Sequence, residues 1–447
     1  MRCSRHLVLG LGLTLSTAVH AAADASLDPA FDNTGYQRVA FDQGAGNRDV
    51  VQAMAREPSG NYVIAGEVQA PSAGTGRRVG VARIARSNGS ILGSFTHDPF
   101  FDTVRALAVD AIGRQVVVGT TPTNADGRPD LGVVRYLAGN PDTTFAGDGG
   151  LSFDSPNASN ALDEPLAVVV RSTNGEIIVL LQERPTTSAA YPYVLVRIPD
   201  NGVGPTALPL GATALGYSGG AMLLQTDGKL LVAVNVVNGS GPVCEQPRLF
   251  RFAANTLVNL DSSFGSGGIV TLAPPTGTGA CAPAVNSIAL DAQGRILLSA
   301  VSRSVSASAS WVARVSTTGA LDGSFSSDGW SRFERPLGGD FYDIRGIGVQ
   351  SDGAILTGGT FTFSNPTIGN RLIIGRMLPD GTPDASFDTF GSRIYTTGST
   401  ATPQNGVAML MDADKVVLAG SWLAVSPTDY DFQIVRTIGP LLRNGFE

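Results

Sequence analysis

Few residues in this chain are chemically equipped for catalysis by type. Histidine occurs three times, at His6, His20 and His97, and the first two lie in the N-terminal leader described below. One remaining imidazole leaves no material for HExxH zinc sites or paired-histidine centres. Residues 216–220 read GYSGG, a GxSxG pattern around Ser218. A nucleophile elbow needs a strand-to-helix turn and a histidine after the serine. His97 comes before it, so the segment reads as a glycine-rich loop.

Carboxylates offer a second chemistry. Glycoside hydrolysis needs two of them at a defined separation, and Asp98, Glu183 and Asp343 fall on segments that read as loops. Hard cations such as calcium want several oxygen ligands. Asn124, Asp126 and Asp130 lie close in sequence, as do Asp340 and Asp343, but neither set follows DxDxDG. Solvated loops are the expectation there, with no cofactor; calcium is the one ion they would suit. Aromatic side chains in or beside the same segments are candidate ligand-binding residues, able to stack on sugars or pack on a partner: Tyr191, Tyr193, Tyr217, Phe341, Tyr342, Trp422 and Tyr430.

What must position these side chains is a repeat. A polar-glycine turn before a short apolar run recurs as SGNYVIAG, IGRQVVVG, NGEIIVL, DGKLLVA, QGRILLS, DGAILTG and ADKVVLAG. The turn position falls at Gly60, Gly113, Gly175, Gly228, Gly294, Gly353 and Asp414, about 59 residues apart on average. Arg83, Arg135, Arg197, Arg251, Arg314, Arg376 and Arg436 follow these turns by 20–23 residues. A third marker, Leu/Pro-Asp-x-x-Phe, ends at Phe31, Phe145, Phe264, Phe325 and Phe387. It is reduced to LGSF at Phe95 and to PTALPL near Leu208.

Each repeat resolves into four short strands. The tight turns suit hairpins, because Gly and Asn tolerate positive φ. Continuous apolar runs after them fit strands buried on both faces. Seven such units predict an all-β, seven-bladed β-propeller with four antiparallel strands per blade. Sevenfold repetition assigns the arginines to scaffold, paired with carbonyls or with Asp142, Asp261, Asp322 and Asp384. A ligand site breaks symmetry, whereas a scaffold contact repeats.

The unit LDxSFxxxG … DGKIxVAG … ARhxxDG resembles the delta-60 repeat family of bacterial β-propellers. The resemblance spans about residues 27–440, with residues 219–265 and 321–387 as its best copies. It implies a secreted or surface propeller and brings no catalytic residues to transfer.

Successive antiparallel connections alternate between the ends of a sheet. The stereotyped glycine and Phe turns therefore share one propeller face. The irregular connections, such as TPTNADGRPD and NGSGPVCEQP, share the other. Function concentrates on variable loops held by a rigid frame, so a ligand site is expected on that second face or at its channel mouth.

The remaining features concern location. Arg2 and Arg5, the apolar run 7–19 and small residues through Ala21 have the order of a secretory signal peptide. The expected division is 1–21 signal peptide, 22–440 a single propeller and 441–447 a C-terminal tail. The expected location is secreted, periplasmic or cell-surface. No apolar stretch after it reaches the ~18 residues of a membrane span. A formal charge of −7 without a basic patch argues against nucleic acid. Export makes Cys244 and Cys281 an expected disulfide across two same-face connections. The functional expectation is a module that binds protein or glycan on the long-loop face. The rival is a carbohydrate-active hydrolase or lyase at the channel mouth.

Overall fold

The computed structural model describes residues 26–42, 48–70, 77–97, 101–122, 127–156, 161–186, 188, 190–215, 218–237, 245–276, 282–303, 308–333, 341–365, 368–388, 391–397, 404–423 and 429–439. Seven antiparallel sheets carry the described chain, and no helix occurs among the described residues. The innermost strands are Val50–Arg56, Thr103–Val109, Ala161–Val170, Gly220–Leu224, Ala284–Leu290, Phe341–Val349 and Gln404–Asp412. Each touches the innermost strands of both neighbouring blades, so the seven close a ring around one axis. The expected seven-bladed propeller is the observed fold.

Hydrogen bonding shifts the blade by one strand from the repeat as read in sequence. The strand after an intact Phe turn becomes the outermost strand of the preceding blade. Gly150–Phe153, for example, follows Phe145 and pairs with the strand Leu131–Leu137 of blade two. The same shift closes the ring. Tyr36–Val39, near the N-terminus, pairs with Tyr430–Arg436 and completes blade seven.

The core is divided into seven layers, one between each pair of adjacent blades. Between blades seven and one, for instance, Val51, Tyr62 and Ile64 meet Val417, Phe432 and Ile434. Second strands such as Gln115–Thr120 are buried throughout, which explains their unbroken apolar runs. Burying each such Val, Leu or Ile contributes about 1.5–3 kcal/mol. Six turn glycines hold φ between 70° and 92°, and Ala413 takes the positive φ in the degenerate seventh turn.

The arginines are scaffold. Arg135, Arg251 and Arg314 bond Asp142, Asp261 and Asp322 at 2.7–2.8 Å, and Arg376 bonds Asp384. Each guanidinium of the first three lies 4.4–4.9 Å from the centre of its Phe-turn ring. These three also donate to a carbonyl one repeat further on, at Asp200, Thr317 and Pro379, which ties neighbouring blades together. Where the Phe turn has lost its aspartate, the partner changes. Arg83 and Arg197 pair with Glu57 and Glu176 instead. Their side chains are 35% and 53% exposed, against 1–8% for the others.

Candidate functional site

Near its start, the innermost strand of six blades carries one extra residue opposite its partner strand. The register shifts at Val51/Ala53, Val104/Ala106, Pro165/Ala167, Val285/Ser287, Ile344/Gly346 and Gly406/Ala408. A bulge re-aims the side chain of its extra residue. Those residues are Gln52, Arg105, Leu166, Asn286, Arg345 and Val407. Blade four runs without a shift and has Gly220 at the equivalent place. All seven line one cavity of about 580 Å3 on the channel axis.

The local sequence explains the bulge in four blades. Gly66, Gly119, Gly359 and Gly420 stand across the ladder from it. A Cβ there would lie 1.8–2.0 Å from a carbonyl oxygen of the bulged strand. Glycine is required because two backbones approach closely.

Innermost strands begin on the face of the irregular connections, so the cavity opens at the mouth expected from the alternation of loops. Asn370, Thr362 and Phe341 from that end complete its wall. Several lining groups are held in place. Arg345 bonds Asp343 at 2.6 Å, and Arg105 pairs with Glu164. Asn286 donates to the Ile344 carbonyl at 3.0 Å, and Asn370 to Asn405 at 2.7 Å. The mouth therefore presents fixed amides, two acid-paired guanidiniums and one aromatic edge. Such a set can bond a polyhydroxylated ligand and stack against one ring face.

Of the seven aromatic candidates, Phe341 lines this cavity. Tyr193 is buried and donates to the Asn235 carbonyl at 3.1 Å. Tyr342 is buried, donates to Thr357 at 2.8 Å, and is pushed up in pKa by burial. Trp422 donates to the Thr397 carbonyl at 3.0 Å beneath the Arg38 guanidinium. Tyr191 and Tyr430 are half-buried near Arg184 and Arg48, away from the channel. Tyr217, Asp98, Asn124, Asp126, Asp340, Cys244 and Cys281 lie outside the described residues.

The other chemical candidates are engaged inside the protein. Ser218 donates to Glu245 at 2.7 Å, and His97 meets the Tyr136 hydroxyl at 3.2 Å. Asp130 is buried, within 3.2 Å of the Ser152 hydroxyl. Glu183 is buried opposite Asp163 on the neighbouring strand. Burial, then the nearby Glu183, Asp154 and Asp130, pushes the Asp163 carboxyl up to about 8.

Residues 350–387 match a family described as "Domain of unknown function (DUF5122) beta-propeller". That supports a β-propeller family. The matched stretch carries Gly353, Arg376, Asp384 and Phe387, one example of each repeat marker. No curated protein matches the chain in sequence. Among solved structures it is similar to the polysaccharide lyase Uly1, at 10% identity and a TM-score of 0.48, covering 96% of this chain and 94% of that one. A gluconolactonase from Xanthomonas campestris is 14% identical with a TM-score of 0.36, covering 76% and 91%. An α-L-arabinofuranosidase from Fusarium graminearum is 10% identical with a TM-score of 0.46, covering 76% and 97%. Likeness at this level carries no inference about chemistry.

The ring of bulged residues was not singled out from sequence. Its signal is a position seven to nine residues before each turn residue that takes six residue types in seven copies while its surroundings repeat.

Proposed function

We propose that this chain is an exported binding module that takes a glycan at the long-loop mouth of its channel. The observation that carries this reading is the ring Gln52, Arg105, Leu166, Gly220, Asn286, Arg345 and Val407. Equivalent backbone positions hold different side chains around one cavity, while the arginine–aspartate contacts behind them repeat. Repetition maintains the frame; variation at the mouth suits an asymmetric ligand. Amide-rich lining with Phe341 at its rim fits a neutral or weakly charged sugar. The leader, with its signal-peptide order, and the delta-60 resemblance support export. A Cys244–Cys281 bridge belongs to the same reading.

The rival, a carbohydrate-active hydrolase or lyase, has one observation in its favour. Asp343 faces the cavity, and Asp163, two residues before the lining Pro165, holds its proton unusually well. Against that, Asp343 is paired with Arg345 and Asp163 is buried. A glycan-array screen of the secreted protein tests the binding reading, and retention of a defined oligosaccharide class is the expected result. Product analysis after incubation separates the two: the ligand returns intact from a binding module and shortened from a hydrolase or lyase. Absence of retention on any glycan would reject the binding reading, and oligosaccharides recovered intact after incubation would reject its rival.

A further inference from the structure

The seam between blades two and three closes on a carboxylate. Asp200 of blade three accepts Arg114 at 2.6 Å and Arg135 at 2.8 Å, both from blade two. Asp200 stands three residues past the repeat arginine Arg197. The same place holds Ala138, Ala254, Thr317, Pro379 and Gly439 in five other copies, and Arg86 in blade one. Charge is therefore reversed there, at the seam between blades seven and one. The backbone makes the two seams comparable. Arg436 donates to the Arg86 carbonyl as Arg135 does to the Asp200 carbonyl. Lys415 follows its turn residue as Arg114 follows Gly113.

Two of the cations at the blade seven–blade one seam share a single carboxylate. Lys415 and Arg436 both pair with Asp28, at 2.6 and 2.9 Å. Arg86 turns to Asp412 of blade seven, which also takes Arg56 and the Tyr62 hydroxyl. The ion pairs of this seam thus join four cations to two carboxylates, a net +2 in a chain of formal charge −7. Those of the blade two–blade three seam join two cations to three carboxylates, Asp110, Asp142 and Asp200, a net −1. Beside the excess positive charge there is room. A cavity of about 420 Å3 opens at the seam, lined by Arg86, Lys415, Ser59, Asn61 and Ser87. The Arg86 and Lys415 side chains are half-exposed. Lys415 commits one of its three ammonium protons to Asp28.

We propose that this cavity, on the turn face opposite the channel mouth, binds a phosphate group through Arg86 and Lys415, filling the role that Asp200 plays between blades two and three. A phosphate monoester carries about −1.5 to −2 charges at pH 7 and three strong acceptor oxygens. That charge matches the excess at the seam, and the oxygens match its guanidinium, ammonium, hydroxyl and amide donors. Charge-assisted bonds of this kind are stronger and shorter than neutral ones. The bound group ties Lys415 of blade seven to Arg86 of blade one across the closing interface. Free phosphate and a phosphate ester share this chemistry.

Titration calorimetry at constant ionic strength with inorganic phosphate, glycerol phosphate and acetate tests the site. Wild type is expected to bind one phosphate, roughly tenfold or more tightly than acetate. Tighter binding of glycerol phosphate would mark a carried phosphate as the ligand, and tighter binding of the inorganic ion a free one. The Arg86→Ala/Lys415→Ala variant folds, because Asp412 keeps Arg56 and Tyr62 and Asp28 keeps Arg436. It is expected to bind phosphate roughly tenfold or more weakly. Arg197→Ala/Arg393→Ala removes the same charge from half-exposed and 35% exposed arginines elsewhere and should bind like wild type. No phosphate binding by wild type would overturn the proposal, as would acetate bound equally tightly. So would equal losses in the two variants, or none in the first.

Discussion

Arg436 donates from Nε to Asp28 at 2.9 Å although 408 residues separate them. This is the arginine–aspartate contact of blades two, four, five and six, made here between residues far apart in the chain. Arg436 also lies 4.6 Å from the Phe31 ring centre and reaches the Arg86 carbonyl of blade one. The repeat element thus serves as the lock of the ring.

Removing that lock should be costly. Arg436 and Asp28 are both buried, and Arg436→Ala leaves Asp28 with Lys415 as its remaining cationic partner. Breaking a buried pair costs about 3–5 kcal/mol. Arg197→Ala removes a half-exposed arginine from Glu176 and should cost under about 1 kcal/mol. Urea unfolding of the two variants checks the contrast; equal losses would contradict it.

Glycine opposite a bulge should resist substitution. In Gly359→Ala the new Cβ would meet the Asp343 carbonyl oxygen at 2.0 Å. Forced repacking should cost about 1–3 kcal/mol and displace Asp343 and Arg345 at the mouth. Gly323→Ala, with nothing within 4 Å, should stay within about 0.5 kcal/mol of wild type. Chemical unfolding of both variants decides.

The Asp163 carboxyl makes a pH prediction. Its folded-state pKa is about 8, against an ordinary 3.8. Folded protein therefore holds a proton that the unfolded chain has released. This group's contribution to stability falls as pH rises from about 4 to about 8, and is flat above and below that window. Asp163→Asn removes the dependence. Its melting-temperature advantage over wild type should widen from about pH 5 to about pH 8; a constant or shrinking difference would contradict the assignment.

On the proposed export reading, Cys244 and Cys281 should be joined. The bridge would contribute about 2–4 kcal/mol, chiefly by restricting the unfolded chain. Peptide mapping without reduction should recover one linked peptide, whereas two alkylated thiols would refute it.

The blade count, turn glycines and aspartate partners were legible because each recurs in phase, so one degenerate copy such as ADK is recovered from six others. Which strand crosses to the next blade was not legible. A periodic sequence has no marked origin, and hydrogen bonding alone shows that Tyr36–Val39 completes blade seven. The bulged residues were hidden for a related reason. A bulge is a mismatch between two strands, and neither VVQAMAR nor YVIAGEVQ reveals it alone. Aromatic type, similarly, does not say whether Tyr193 or Phe341 points to the core or the channel.

Equilibrium binding of an array-selected glycan is the most direct test of the channel mouth as a ligand site. Three proteins should be compared: wild type, Gln52→Ala/Arg345→Ala at the mouth, and Asp227→Ala in an exposed turn on the opposite face. With melting temperatures unchanged, the mouth variant should bind roughly tenfold or more weakly, a loss of about 1.4 kcal/mol, and Asp227→Ala should match wild type. Equal affinity in all three, or a loss confined to Asp227→Ala, would contradict the account.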